Sequence, residues 1–447
     1  MVGQVETVAD SARQFVIGLF RSMESSQWWT AEQLRLYQFQ RLSAFLAHAH
    51  RTVPYYRRLL DNAGVEPLSL TPESWRRIPI VTRLEVQALG ESLRSEGVPK
   101  WHGTGPPTTS SGSTGVPLRV AKSALAHMVR HASIARFHAW HERDVGANLI
   151  AVRKSLDGSA AYPNGTISHQ WPEAWILGTT GGSAVLDIVT PMELQLEWLQ
   201  RQDPVYLGTY PTNLLRLAQI SLERGIRLPS LRQAITFGAV LTPAIRAACR
   251  DAWGVEIADN YSAQESGEMA LQCPRSEHYH VQSETVMVEI LDAEGNDCRP
   301  GDTGRVVVTP FYNYATPLIR YEIGDYAEVG EPCPCGRGLP VLRRIRGRYR
   351  NLVTLPDGRQ YWPIFDHHKF SRRAPVRQYQ IIQHAPDRLE AKLVVDRPLT
   401  AAEEAGIRQV LVEDIGFPFQ VEFSYPSAIA GTAVGKYEDF MSFVTPR

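Results

Sequence analysis

The sequence is short of several features that would assign it to a specialised class of protein. It has 5 cysteines in 447 residues, too few for a disulfide-rich scaffold. Lysine plus arginine and aspartate plus glutamate both number 47, so the chain lacks the basic surplus of a protein that coats nucleic acid. No stretch approaches the roughly 18 apolar residues of a membrane span. These absences favour a cytoplasmic enzyme.

The first 26 residues also lack the marks of a secretory signal. They contain the apolar run Phe15–Phe20, but no run of basic residues leads into it and no small-residue cleavage site follows. We therefore expect an amphipathic helix. Internal repeats and low-complexity linkers are lacking as well, which favours a few compact domains of ordinary composition.

Helical and strand patterns divide the chain into regions. The first hundred residues are predicted to be helical, with capping-box starts at Thr30 and Thr82. From about 147 to 260, short apolar runs alternate with longer amphipathic segments, which predicts parallel strands joined by helices. Residues 285–309 change to two-residue alternation around a polar turn, which predicts a β-ribbon.

The last hundred residues form a separate, smaller pattern. Strands are predicted at 377–383, 389–395 and 420–425, with a helix that begins after Thr400. The sequence therefore predicts an α/β protein with a large multi-layer N-terminal domain, residues 1–346, and a small α+β C-terminal domain, residues 347–447. The large domain is expected to contain parallel sheets and a β-ribbon or barrel portion.

A glycine- and hydroxyl-rich loop is the most informative segment. Glycines let the backbone approach an anion, and neighbouring N–H and O–H groups can surround phosphate oxygens. The loop is not a Walker motif, because no Gly-Lys-Ser/Thr ends it. A flexible surface loop is the alternative explanation. Its central residues, the phosphate loop of this article, are Ser110, Ser111, Gly112, Ser113, Thr114 and Gly115.

This loop resembles the phosphate loop of the adenylate-forming superfamily of acyl-CoA synthetases, adenylation domains and luciferases. Five further motifs follow in the order of that superfamily. They are the adenine-wall segment Phe237-Gly238-Ala239, the tyrosine motif Asp259–Glu265, the ribose motif Tyr321–Asp325, the hinge motif Gly347-Arg348 and the lysine motif Gly435-Lys436.

Two N-terminal segments are typical of one branch of the superfamily. Val53–Arg58 and Arg77–Arg83 resemble the phenylacetate–CoA ligase branch, which includes capsule-cluster relatives. The resemblance covers nearly the whole chain. Each motif taken singly is only weakly specific, and the assignment depends on their joint order.

The resemblance implies a two-step reaction that uses ATP and Mg²⁺. A carboxylate attacks the α-phosphorus of ATP to give an acyl-adenylate and pyrophosphate, and a thiol or amine then displaces AMP. The implied catalytic residues are Lys436, a positive charge that stabilises the transition state, and Glu265, a ligand of Mg²⁺. The implied nucleotide-binding residues are the phosphate loop together with Gly238, Ala239, Asn260, Tyr261, Ser262, Gln264, Asp325 and Arg348.

Several positions depart from the family pattern. Gln264 stands where many relatives have threonine or serine before the glutamate, and Val116 replaces a common lysine of the phosphate loop. At the hinge, Arg350-Asn351 replaces the usual acidic pair. Taken alone, Glu265 would be a surface carboxylate, Asp325 a turn residue and Lys436 a solvated lysine near the end of the chain.

A second group of residues is suited to a metal. Cys333 and Cys335 flank a proline in a turn, and Cys273 lies upstream, followed by His278 and His280. Zinc takes four nitrogen or sulfur ligands in a tetrahedron. We expect a structural zinc bound by Cys273, His280, Cys333 and Cys335, with His278 as the rival fourth ligand. Buried reduced cysteines beside two histidines are the alternative.

The acid and the acceptor are less defined by the sequence. The region after the phosphate loop is rich in rings that could stack on an aromatic acid, although core packing explains each of them equally well. Coenzyme A is the family's usual acceptor, an amine is the alternative, and a homodimer follows from family analogy alone. A nucleotidyltransferase and a catalytically silent homologue are rival functions. The rings and imidazoles are His127, His131, Phe137, His138, Trp140, His141, Trp171 and Trp175.

Overall fold

The computed structural model describes residues 8–109, 118–155, 157–363, 365, 367–429 and 439–444. The chain divides into two compact units, Met1–Ile345 and Arg346–Arg447. The α-helices of the described residues are α1 (Val8–Ser26), α2 (Ala31–Thr52), α3 (Pro54–Asn62), α4 (Pro72–Arg77), α5 (Arg83–Leu89), α6 (Ala124–Trp140), α7 (Ala174–Leu177), α8 (Met192–Gln202), α9 (Pro211–Arg224), α10 (Pro243–Trp253), α11 (His367–Arg373) and α12 (Ala401–Ile415).

The strands are numbered in chain order as well. Those that begin in the first unit are β1 (Val81–Thr82), β2 (Thr108–Thr109), β3 (Arg119–Val120), β4 (Leu149–Arg153), β5 (Thr166–Ser168), β6 (Ser183–Asp187), β7 (Tyr206–Thr209), β8 (Gln233–Phe237), β9 (Glu256–Ala263), β10 (Gly267–Gln272), β11 (Tyr279–Val281), β12 (Val286–Leu291), β13 (Thr303–Pro310), β14 (Tyr321–Val329) and β15 (Val341–Arg348). Those of the second unit are β16 (Val353–Thr354), β17 (Gln360–Tyr361), β18 (Val376–Ala385), β19 (Arg388–Val395), β20 (Gln420–Ser424) and β21 (Phe440–Ser442).

Local sequence signals set the starts of several helices. Thr30, Thr82 and Thr400 each accept a hydrogen bond from the backbone of the third helical residue, and that residue's side chain bonds back to the cap. These reciprocal bonds satisfy backbone N–H groups that the first turn leaves free. The N-terminal helix α1 is amphipathic as predicted, because its buried side chains recur three and four residues apart from Ala12 to Met23.

The first unit is organised around one mixed sheet of 13 strands. Strands β6, β4, β7, β8 and β9 are parallel neighbours, which confirms the prediction of parallel strands between about 147 and 260. The predicted β-ribbon is the antiparallel pair β12–β13, and it belongs to the same sheet as the parallel strands. The predicted α/β class is therefore confirmed, with the two kinds of pairing continuous in one sheet.

Separate cores stabilise the parts of the chain. In the first unit, α8, α9 and α10 bury apolar side chains against the parallel strands, while α1, α2 and α3 pack with the antiparallel part. The second unit has its own four-stranded sheet, ordered β20-β19-β18-β21, and its own core with α11 and α12. None of the described helices is both long enough and apolar enough to cross a membrane.

Candidate active site

Parallel pairing brings the adenine-wall segment beside the tyrosine motif. Strands β8 and β9 are parallel neighbours, and Phe237 is the register partner of Asn260. Gly238 and Ala239 therefore leave β8 where Tyr261 stands on β9. Gly238 has a φ of 77°, a conformation that glycine adopts without strain. The carboxyl ends of parallel strands are the usual ligand-binding edge of such a sheet.

A bulge in β14 positions the ribose-motif aspartate. Arg305 pairs with Tyr326 but Val307 pairs with Glu322, so the ladder between β13 and β14 is interrupted around Asp325. Gly324 supplies the required φ of 87°. The Tyr261 hydroxyl donates to Asp325 Oδ2 over 2.9 Å, which joins two motifs far apart in sequence. Bulges commonly redirect a side chain in this way beside active sites.

Glu265 lies in the turn between β9 and β10 and is only 3% exposed. Its Oε1 atom is 3.2 Å from Nη1 of Arg83, whose side chain is 10% exposed. The Tyr321 hydroxyl lies 3.4 Å from the same oxygen. A buried carboxylate requires a charged or hydrogen-bonding partner of this kind, because the desolvation of an isolated charge is costly.

Arg83 and Tyr321 belong to segments that the sequence marked without giving either residue a role, and Lys122 was not marked at all. Strand β1 pairs in parallel with β14, with Thr82 opposite Glu322, and this contact brings Arg83 at the start of α5 to Tyr321. The signal is a pairing between residues some 240 positions apart, which no local pattern reveals. For Lys122, the only available hint is that it follows β3, just beyond the phosphate loop.

Further cations surround the Glu265 turn. Nη2 of Arg130 lies 3.4 Å from Oε1 of the buried Glu268. Burial, with a smaller contribution from Arg130, lowers the pKa of Lys122 to about 8, and Glu265 and Glu268 oppose that shift. Lys122, Arg130, Glu265 and Glu268 all line one small space of about 30 Å³. The site therefore combines two carboxylates with cations that can neutralise a bound anion.

Some buried polar atoms at the site have no hydrogen bond among the described residues. They include Asn260 Oδ1, Ser266 Oγ and Glu268 Oε2. Such atoms cost free energy unless a ligand or water satisfies them, so they fit a polar ligand at this edge. Gln264 is exposed and Ser262 is half-buried.

The remaining predicted residues are either outside the described part of the chain or in the second unit. The phosphate loop, residues 110–115, and Lys436 lie outside the described residues. Strands β2 and β3, which flank the phosphate loop, pair with each other. Arg348 belongs to the second unit, where its carbonyl accepts a 3.2 Å hydrogen bond from Trp362 Nε1.

The rings after the phosphate loop separate into two groups. Phe137, Trp140 and Trp171 are buried in an aromatic core, so the packing explanation holds for them. His131 is different, because its Nδ1 is 2.8 Å from Glu173 Oε1 and its ring is 5.8 Å from that of Trp175. Burial, followed by the charge of Arg143, lowers the pKa of His141 to about 3 and also lowers that of His138.

The predicted metal ligands meet in a second cluster of the first unit. Ligand atoms of Cys273, His278, His280 and Cys333 all lie within 4.8 Å of one another. Cys273 and Cys333 are 3.7 Å apart at their sulfurs, close to the roughly 3.8 Å that two thiolates on one tetrahedral zinc require. His278 Nε2 is 2.8 Å from Cys333 Sγ. The rival ligand His278 therefore lies within the cluster together with His280.

Cys335 completes the group as a fifth candidate. Its sulfur is 3.4 Å from Nε2 of His280, and it is 9% exposed. Burial lowers the pKa of His280 to about 4 and also lowers that of His278, which keeps both imidazoles neutral with a lone pair for a metal. Burial raises the pKa of Cys333 to about 12, so without a cation this thiol stays protonated.

No protein-family model matches the sequence. A phenylacetate-coenzyme A ligase of Thermus thermophilus is 26% identical over 391 residues, which cover 82% of each chain. Protein CapK of Staphylococcus aureus is 26% identical over 323 residues, which cover 71% of this chain and 68% of that protein.

A solved structure shares the fold. A 2-hydroxyisobutyryl-CoA ligase in complex with its acyl-AMP matches 91% of this chain and 88% of that chain, with a TM-score of 0.71 and 18% sequence identity. The chain therefore resembles phenylacetate-coenzyme A ligases and CapK over most of its length, and it shares the fold of an acyl-CoA ligase.

Proposed function

We propose that this chain is an ATP-dependent ligase that activates a small carboxylic acid as an acyl-adenylate and transfers the acyl group to coenzyme A. One observation carries the proposal. Tyr261, Asp325 and Glu265, which come from separate motifs of the superfamily, lie together at one edge of the sheet, and the Tyr261–Asp325 hydrogen bond joins two of these motifs.

The proposed reaction has two substitution steps. A carboxylate oxygen of the acid attacks the α-phosphorus of ATP, and the bond from that phosphorus to the bridging oxygen breaks to release pyrophosphate. The coenzyme A thiol, after loss of its proton to solvent, then attacks the acyl carbon, and AMP leaves with the carboxylate oxygen. Positioning and charge neutralisation supply most of the catalysis in such phosphoryl transfer.

The nucleotide would lie along the edge formed by β8, β9 and β14. The ring of Tyr261 and the backbone at Gly238 and Ala239 give adenine a flat surface, and the unsatisfied Asn260 Oδ1 is available to an adenine amino group. Asp325 is suited to the ribose hydroxyls. We assign the phosphates to residues 110–115, with Ser262, Gln264 and Arg348 as further nucleotide contacts.

Glu265 fits the role of magnesium ligand, because Mg²⁺ prefers carboxylate oxygens and phosphate oxygens. The ion would neutralise part of the triphosphate charge. Arg83 and Tyr321 hold the Glu265 carboxylate in place through its Oε1 atom. Lys122 and Arg130 add positive charge beside it, which offsets the missing lysine at Val116 of the phosphate loop.

Lys436 is proposed as the residue that stabilises the adenylation transition state. We also propose that the chain works as a large domain, residues 1–346, that binds ATP and acid, and a small lid, residues 347–447, that carries this lysine. A cytoplasmic location suits the cysteine–histidine cluster, because its ligands must be thiolates and not disulfides.

We propose a structural zinc at the cysteine–histidine cluster. The sulfur–sulfur distance of 3.7 Å, the neutral imidazoles and the burial of the cluster fit that ion. Cys273 and Cys333 would be ligands, with the remaining positions shared among His278, His280 and Cys335. A bound zinc would join the β10–β11 turn to the β14–β15 loop. Zinc below about a tenth of an equivalent in the purified protein would contradict this proposal.

Acid-dependent ATP–pyrophosphate exchange tests the function. A panel of aromatic and aliphatic acids, with Mg²⁺ and with or without coenzyme A, is expected to give exchange with one acid class. Release of AMP that depends on coenzyme A would then distinguish a CoA ligase from an amide ligase. Absence of exchange with every acid, despite measurable ATP binding, would favour nucleotidyl transfer to a hydroxyl or a catalytically silent homologue.

Lys436→Ala is the matching variant. It is expected to reduce exchange by about a thousandfold while leaving ATP affinity nearly unchanged, because the lysine acts mainly in the transition state. Lys392→Ala is the control, because Lys392 is a partly exposed lysine on β19 that pairs with Glu390. Near-normal exchange in Lys436→Ala would show that another group supplies the charge.

A further inference from the structure

A cavity of about 300 Å³ lies in the first unit, apart from the Glu265 site. It lies between helices α1 and α2, a 3₁₀ turn at Lys100–His102 and the segment that follows β13. Its volume is at the lower end of the range of small-molecule sites, roughly 300–1,000 Å³. The side chains that carry the argument are Phe15, Arg41, Trp101, His102, Tyr312 and Tyr314.

The walls of this cavity are aromatic. The ring of Phe15 is 5.4 Å from that of Trp101 and 5.6 Å from that of Tyr312. The ring of His102 is 4.6 Å from that of Tyr314, in an edge-on arrangement. Rings held at these distances and tilts offer faces and edges on which another planar ring can pack.

Three polar groups converge on the same cavity. Arg41 lies on the exposed side of α2, where its guanidinium stands 5.1 Å from the ring of Tyr37, and none of the ion pairs of the described residues includes it. His102 Nδ1 is buried and has no hydrogen bond among the described residues, while the buried Tyr312 hydroxyl lies close to Tyr37 and Arg41. Tyr312 is 7% exposed and His102 3%.

The charge of these groups selects the ligand. An arginine is always protonated, whereas burial, with a smaller contribution from His48, lowers the pKa of His102 to about 4 and leaves it neutral. Among the described residues that line the cavity, Arg41 is thus the single full charge, and it can pair with one anionic group. The neutral imidazole and the phenol can each donate or accept a hydrogen bond.

The cavity is distinct from the proposed adenylation site. The space beside Glu265 is lined by Lys122, Arg130 and Glu268, none of which reaches the cavity. The two spaces share Tyr312 as a wall residue.

We propose that this cavity is a second ligand site, which binds a planar aromatic molecule with one anionic group. The ring packs among Phe15, Trp101 and Tyr312. The anionic group pairs with Arg41 at the mouth, and a polar atom of the ligand forms a hydrogen bond with His102 or the Tyr312 hydroxyl.

Calorimetric titration with benzoate, without ATP, tests the proposal. The wild-type chain is expected to bind benzoate and phenyl phosphate, and to bind benzyl alcohol and inorganic phosphate at least about tenfold more weakly, since each of these lacks one half of the ligand. Arg41→Met is expected to weaken benzoate binding by about ten- to hundredfold. Ala44→Trp, which fills the mouth of the cavity, is expected to abolish it.

Arg35→Met is the matched control. Arg35 is also an exposed arginine on α2, stacked 5.8 Å from the ring of Phe39 and outside the cavity, so its loss is expected to leave benzoate affinity unchanged. Thermal melts of all variants confirm that they fold. A crystal grown with 4-bromobenzoate is expected to place the bromine in the cavity.

Any one of three results would overturn the proposal. One is the absence of measurable binding of benzoate and phenyl phosphate to the wild-type chain. The second is equal benzoate affinity in the wild type, Arg41→Met and Ala44→Trp, and the third is a bromine peak only beside Glu265, since either of these would place the acid in the adenylation site alone.

Discussion

The two ends of strand β10 lie in contrasting chemical environments. Glu265 precedes the strand in a turn with Arg83, Lys122 and Arg130 near it, while Cys273 follows the strand and meets neutral histidines. They are eight positions apart, roughly 26 Å along a fully extended strand. At one end the groups are charged and some polar atoms remain unsatisfied. At the Cys273 end, the sulfurs of the cysteines and the nitrogens of the histidines lie close to one another.

These two environments are typical of a reactive site and of a structural site. Charged groups that are not tightly paired, next to oxygens that lack a hydrogen bond, are suited to a substrate that binds and then dissociates. Soft ligands within bonding reach of one common point are suited to a permanent metal. We therefore expect changes at the Glu265 end to affect catalysis, and changes at the Cys273 end to affect folding.

The largest expected effect follows from Glu265→Gln. The amide keeps the shape but loses the charge for Mg²⁺, so acid-dependent exchange is expected to fall by about a hundredfold or more. Glu328→Gln is the control, because Glu328 is also a buried carboxylate of this sheet and pairs with Arg343 over 2.8 Å. If exchange in Glu265→Gln stays within about threefold of wild type, the Glu265 end of β10 is not the catalytic one.

Cys333→Ala tests the other end of the comparison. Because Cys333 is close to both Cys273 and His278, zinc is expected to fall from about one equivalent to below about a tenth, with a lower melting temperature. Cys249→Ala is the matched control, since this thiol is buried in α10 and lies outside the cluster. Mass spectrometry measures the zinc bound per chain in each variant. Equal zinc in both variants would show that the cluster is not the binding site.

Asp325→Asn should produce a smaller and more specific defect. It replaces the charged acceptor of the Tyr261 hydrogen bond and the proposed ribose ligand, so the KM for ATP is expected to rise by about tenfold. Steady-state kinetics with saturating acid measure this. A fall in kcat with an unchanged KM would show that Asp325 acts in the chemical step and not in binding.

The pH dependence of stability gives the smallest expected effect. The pKa of Lys122 is about 8 in the folded chain and 10.5 as the ordinary value, so between these pH values the unfolded chain binds more protons. The free energy of unfolding of the wild type, relative to Lys122→Met, is therefore expected to rise by about 1–2 kcal/mol from pH 8 to pH 10. Denaturant titrations at the two pH values measure this, and a flat difference would mean that Lys122 is well solvated.

Periodic segments of the fold could be predicted from the sequence, and segments defined by distant pairing could not. Helix α10 (Pro243–Trp253) is one of the amphipathic segments predicted between the parallel strands, and its apolar pattern and its terminal Gly254 agree. Strand β10 was not predicted. Its residues, Gly-Glu-Met-Ala-Leu-Gln, mostly favour helices, and the pairing with β9 and β11 overrides that preference.

The same distinction applies to the site. Glu265, Tyr261 and Asp325 lie in ordered motifs, so the sequence could name them before their contacts were known. The position of Arg83 depends on the parallel pair β1–β14, and no local pattern in the sequence indicates its partner. The choice between His278 and His280 is likewise a matter of side-chain position, and both lie within the cluster.

Transfer of an oxygen isotope from the acid to AMP tests acyl-adenylate formation. The acid that supports exchange is labelled with ¹⁸O in its carboxylate and allowed to react with ATP and coenzyme A. Because a carboxylate oxygen attacks the α-phosphorus, one labelled oxygen is expected in AMP, detected by mass spectrometry. Unlabelled AMP, or label in inorganic phosphate with ADP as the product, would show that the acid is not activated as an acyl-adenylate.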